Sequence, residues 1–100
     1  MQRRMVANTH ISILKSVKPE LVEKYHVSSI GLFGSAVRDD FSPSRSDIDV
    51  LVDFSKPVGI EFIALADFLE ECYGRKVDLV SRNGIKSNYF AEIEKEVVYA

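Results

Sequence analysis

Apolar and polar positions along this chain change between two periods. The shorter is clearest at residues 47–54, Asp-Ile-Asp-Val-Leu-Val-Asp-Phe. There Ile48, Val50, Val52 and Phe54 alternate with Asp47, Asp49, Leu51 and Asp53, as in a strand with one face in a core and the other turned outward. Residues 27–33, Val-Ser-Ser-Ile-Gly-Leu-Phe, read as an earlier strand running into Gly34, and residues 76–80 as a later one. The longer period marks a helix over residues 4–16, with Met5, Ile11, Leu14 and Val17 on a broad apolar face. Pro19 then starts a second, short helix that turns Leu21 and Val22 inward. Ala36 to Asp39 begins a short helix after the first strand, and residues 41–46, with Pro43 among serines, read as loop. Beyond Pro57 to Gly59 a helix runs to about Tyr73, with Phe62, Leu65, Leu69 and Cys72 on one face, Phe68 beside it and Gly74 as its stop. The tail, residues 88–96, reads as helical through Phe90, Ile93 and Val97. Strand, helix, strand, helix, strand predicts an α/β domain with helices packed on a sheet.

Length sets the organisation. One hundred residues predict a single domain, 1–100, with one modest core and no room for a separate substrate domain. A composition 46% hydrophobic and 28% charged is that of an ordinary globular protein. The net charge of −2 argues against direct, non-specific nucleic-acid binding, which needs a field of Lys and Arg. The single cysteine, Cys72, excludes an intrachain disulfide framework and a Cys-rich zinc site and fits a reducing cytoplasm. No uninterrupted apolar run follows Met-Gln-Arg-Arg, so neither a signal peptide nor a membrane-spanning helix is expected.

The chemistry gathers at two places. Asp47 and Asp49 lie two apart on a strand, so their side chains share a face with Cα atoms roughly 6.5–7 Å apart. Two carboxylates on a rigid element suit a hard cation such as magnesium, which takes oxygen ligands at roughly 2.0–2.1 Å. The same pattern also occurs on plain solvated strand faces, and Asp53 reads as the solvated end of this one. At Gly34-Ser35 a strand ends, glycine allows close backbone approach, and N–H groups at a helix start favour phosphate; an ordinary turn has the same sequence. Asp78, between Val77 and Leu79, is a third acid. On a central strand it would be costly to bury unpaired, and metal coordination would resolve that cost; an edge position or a salt bridge to Lys76 or Arg75 would as well. His10 and His26 read as surface or helix-end residues, Cys72 as core, and the tyrosines as packing or rim residues, one of which could stack on a base. The Glu92, Glu94, Lys95, Glu96 run reads as a solvated helix face.

Taken together, Gly34-Ser35, then Asp47-x-Asp49, then a lone Asp78 on a later strand resemble the nucleotidyltransferase superfamily of the DNA polymerase β type. The run Gly-Leu-Phe-Gly-Ser-Ala-Val-Arg from Gly31, with Ser-Asp-Ile-Asp-Val-Leu-Val-Asp-Phe from Ser46, is similar to the minimal nucleotidyltransferases, the antitoxin halves of HEPN/MNT toxin–antitoxin modules. The likeness spans about residue 8 to residue 100. It implies a small mixed β-sheet flanked by helices. It implies that Gly34 and Ser35 hold a triphosphate and that Asp47, Asp49 and Asp78 hold two magnesium ions, with Asp78 also helping to deprotonate the acceptor. Arg38 matches an arginine that would contact phosphate, with a surface salt bridge to Asp39 or Asp40 as the other reading, and Ser46 matches a serine that positions the loop. Asp39 stands where the family usually has a small glycine. The implied reaction is magnesium-dependent transfer of AMP from ATP to a tyrosine of a partner HEPN toxin. A non-catalytic antitoxin that acts by binding alone, and an enzyme modifying a small molecule with a homodimer forming the pocket, are the alternatives.

Overall fold

The computed structural model describes residues 2–37 and 47–100, with side chains from Thr9 onward within those ranges. Helix α1 (Gln2–Tyr25) is unbroken and contains Pro19, where the sequence pattern predicts two helices. The reason is tertiary. Leu14 and Leu21 are fully buried, with Ile11, Val17 and Tyr25 packed beside them, so the apolar face continues past Pro19 at helical spacing. Pro19 lies on the exposed side, where water can serve the carbonyl its missing N–H leaves unpaired. His26 ends the helix with a left-handed φ of 59°, and its carbonyl accepts from the Ser55 N–H and hydroxyl at 2.8 and 3.1 Å.

Strands β1 (Val27–Phe33) and β2 (Ile48–Phe54) pair antiparallel, α2 (Ile60–Tyr73) crosses over, and β3 (Val77–Ser81) lies parallel to β2. A parallel pair needs such a crossover. α3 (Ser87–Glu94) follows, and β4 (Val98–Tyr99) returns antiparallel to β1, giving the order β3-β2-β1-β4. The predicted helical tail thus ends at Glu94, and β4 is a strand the sequence pattern does not predict. Short 3-10 turns lie at Gly34–Val37 and Arg82–Gly84.

The sheet has a core on each face. Alternation in β2 puts Ile48, Val50 and Val52 against Leu14, Leu21, Leu65 and Leu69 of α1 and α2. Leu51 points the other way and meets Phe33 of β1 and Ile93 of α3. Each fully buried leucine contributes about 1.5–3 kcal/mol of transfer free energy. Among the described residues no helix is long and apolar enough to cross a membrane.

Candidate active site

Alternation in β2 puts Asp49 on the same face as Leu51, the α3 side of the sheet. Its antiparallel partner in β1 is Phe33, the residue before Gly34. Its parallel partner in β3 is Asp78. Residues in register on adjacent strands point to one face, with backbones about 4.8 Å apart, so the topology sets two carboxylate-bearing positions side by side. Asp47 lies just before β2 and is half-buried.

Gly34 sits where β1 bends into the 3-10 turn, with a φ of +64°. Only glycine takes that conformation without strain. A Cβ here would run into the carboxylate of Asp49. Glycine at 34 therefore lets the acid and the turn touch. Ser35 follows, half-buried. The turn is held from behind by α1: the His10 Nδ1–H donates to the Ala36 carbonyl at 3.0 Å, which assigns the proton to Nδ1. His10 itself is buried, not superficial as its isolation in the sequence suggests. The Tyr73 hydroxyl donates to the His10 carbonyl at 2.7 Å, and the two rings meet edge to face. Burial pushes the Tyr73 hydroxyl well above the ordinary tyrosine range.

A cleft of about 390 Å³ opens beside Gly34 and Asp49, walled by Phe33, Tyr89, Glu92, Ile93 and Glu96. Tyr89, more than half exposed, is the tyrosine that reaches this cleft. Glu96 is not on a solvated helix face. It lies past the end of α3, half-buried, and its Oε1 accepts the Gly34 N–H at 2.9 Å. The β-branched run Val97-Val98 after it is the one sequence signal for that change, and it is weak.

Asp78 is placed differently from the central-strand reading. β3 is a sheet edge and the Asp78 side chain is exposed, so no burial cost demands a cation there. What favours it is its register opposite Asp49. Among the described residues no group of three or more His, Cys, Asp and Glu side chains is gathered closely enough to hold a metal. The acids are all hard oxygen donors of the kind that suits magnesium, and the backbone sets two of them, Asp49 and Asp78, in register on adjacent strands. Asp53 lies apart, accepting its neighbour Phe54's N–H at 3.0 Å. Cys72 is a half-buried free thiol whose pKa burial pushes up, the direction of an inert side chain. Arg38 and Ser46 lie outside the described residues.

The profile of the nucleotidyltransferase domain matches residues 14–99. The protein adenylyltransferase MntA of Thermococcus cleftensis is 44% identical over 89 residues, 88% of this chain and 89% of that protein. Among solved structures, one described as a minimal nucleotidyltransferase superposes with a TM-score of 0.73 at 22% identity, covering 98% of this chain and 95% of its own. A tri-AMPylated Shewanella oneidensis HEPN toxin in complex with MNT antitoxin superposes with a TM-score of 0.58 at 22% identity, covering 97% of this chain and 70% of its own. The four-stranded sheet flanked by helices is therefore the minimal nucleotidyltransferase fold. The glycine turn in contact with an acid, the acid pair in register and the match over residues 14–99 agree: this chain belongs to the nucleotidyltransferase domain family.

Proposed function

We propose that the chain, as one domain, transfers AMP from ATP to a tyrosine hydroxyl of a partner HEPN toxin and so acts as its cytoplasmic antitoxin. The observation that carries this reading is the contact of Gly34 with Asp49 at the mouth of a cleft, with a second acid, Asp78, in register with Asp49 on the neighbouring strand. At about 390 Å³ the cleft is of a size that takes a nucleotide. The 44% identity to a protein adenylyltransferase supports AMP as the group transferred, and the AMPylated HEPN toxin complex supports the class of acceptor.

In this reading the Gly34 N–H and the Ser35 hydroxyl receive the terminal phosphates, which places the α-phosphorus toward Asp49. Asp47, Asp49 and Asp78 would hold magnesium, which supplies charge neutralisation for the polyphosphate. The acceptor hydroxyl gives its proton to the Asp78 carboxylate, whose exposure opens that side to a partner chain. Its oxygen bonds to the α-phosphorus, the bond to the β-phosphate oxygen breaks, and pyrophosphate leaves. Positioning does most of this work. The partner supplies both the acceptor and the remaining wall of the site.

ATP labelled at the α- or the γ-phosphate, with magnesium and the partner protein, tests the reading. Label reaches the partner from the α-position only, and Asp49→Asn abolishes it. Transfer of γ-label would overturn it.

A further inference from the structure

The Gly34 N–H, assigned above to the terminal phosphates, is already engaged. Its acceptor is the side chain of Glu96, sixty-two residues away in sequence, at 2.9 Å. The fold delivers that carboxylate from two sides. The Glu96 backbone N–H donates to the Ile93 carbonyl at 3.0 Å, which ties it to the end of α3. Immediately after it, β4 is fixed on β1 by the pairs Leu32↔Val98 and Gly31↔Tyr99. A bond from an N–H to a carboxylate is among the stronger hydrogen bonds. Asp49, Glu92 and Glu96 line the cleft, and no lysine or arginine joins them among the described lining residues. A polyphosphate entering here meets these carboxylates and finds its amide donor taken.

We propose that Glu96 is a competing acceptor that tunes the nucleotide site, an inference that rests on the triphosphate reading of that site. Glu96 holds the Gly34 amide between turnovers. The terminal phosphates of the incoming nucleotide displace it. After transfer, Glu96 returns to the amide as pyrophosphate leaves, so that it weakens binding of triphosphate and of pyrophosphate alike. A nucleoside monophosphate has no terminal phosphates to place at Gly34 and does not compete with Glu96. Glu96 thereby lowers the site's preference for triphosphate over monophosphate and limits product inhibition.

The test is calorimetric titration of the full chain with the magnesium complexes of α,β-methylene-ATP and pyrophosphate, and with AMP. The wild type is compared with Glu96→Gln, which keeps the shape without the charge, and Glu96→Ala. The expected result is about tenfold tighter binding of the triphosphate analogue and of pyrophosphate in both variants, with AMP unchanged. A merely structural Glu96 would weaken all three ligands together. Triphosphate binding that is unchanged or weaker in Glu96→Gln overturns the inference and leaves the nucleotidyltransferase reading standing. Failure of the wild type and both variants to bind triphosphate overturns both. Should either variant misfold, nuclear magnetic resonance of the wild type decides. The Gly34 amide and the Glu96 carboxyl carbon shift together on adding the magnesium complex of the analogue if Glu96 is displaced. A saturated site with both signals unmoved overturns the proposal.

Discussion

The carboxylate of Asp49 fills the space that a side chain at Gly34 would occupy. Two stretches of backbone, the end of β1 and the second residue of β2, are thus locked into one unit by an absence of atoms. Gly34→Ala would introduce a methyl group against that carboxylate at a φ of +64°. The expected cost is about 1–3 kcal/mol of stability, read as a fall in melting temperature, and AMP transfer falls further than stability does because Asp49 is pushed aside. A variant with wild-type transfer would show that the contact is dispensable.

Asp49 and Asp78 face each other in register but differ in setting, one half-buried against the cleft and the other exposed at a sheet edge. Asp49→Asn and Asp78→Asn should each lower transfer by about a hundredfold or more, the scale of losing a transition-state charge stabiliser. Asp78→Asn should leave stability within about 0.5 kcal/mol of wild type, as exposed substitutions do. Retained transfer in Asp78→Asn would remove Asp78 from the site.

Much of this was legible in the sequence, and the gaps have physical causes. The period-two alternation of Ile48, Val50 and Val52 locates β2 because a strand between two cores must sort its side chains by face. That sorting also places Asp49. Gly34 could be found because the left-handed turn and the close approach both exclude other residues. Pro19 misleads because local propensity is overridden by Leu14 and Leu21, which bury on one face either side of it. The apolar flanks of Asp78, Val77 and Leu79, leave a central and an edge position both open, because nothing in a single strand says whether a neighbour lies beyond it. Glu96 was invisible because its partner, Gly34, is sixty-two residues away. His10 was misplaced for the same reason, since its carbonyl partner belongs to Ala36.

Tyr73 gives a pH signature. Burial raises its folded pKa above the value of about 10 of an unfolded tyrosine. The folded chain therefore holds that proton more tightly, and the contribution to stability is full below about pH 10 and declines as the pH rises through it. Tyr73→Phe lacks the bond to the His10 carbonyl and should be about 1 kcal/mol less stable at neutral pH. Its urea midpoint should fall less steeply than wild type from about pH 9 to about pH 11. Parallel profiles for the two proteins would refute this.

Gly31 lies under β4. A Cβ there would come within 2.7 Å of a Val97 methyl, 2.8 Å of the Val98 carbonyl oxygen and 3.1 Å of the Tyr99 Cα. Gly31→Ala should lift β4 from the sheet at a cost of about 1–3 kcal/mol. Hydrogen exchange should report it as faster exchange of the Ala100 amide, which in the wild type donates to the Ile30 carbonyl at 2.9 Å. Unchanged exchange at Ala100 would mean the strand accommodates the methyl group.

The strand order β3-β2-β1-β4 also bears on the sequence in which the molecule comes together in time. Gly34 follows β1 directly and Asp49 lies in β2, the next strand, so little chain has to be enclosed to bring them into contact. Asp78 reaches Asp49 only after the α2 crossover, and Glu96 reaches Gly34 only when the chain has come back to β1. Closure entropy grows with the length of chain enclosed, and pairings of long range form slowly. A refolding chain should therefore acquire protected amides in β1 and β2 before those in β4, and hold the glycine turn formed, with its donor still open to water, before the last carboxylate arrives to cover it.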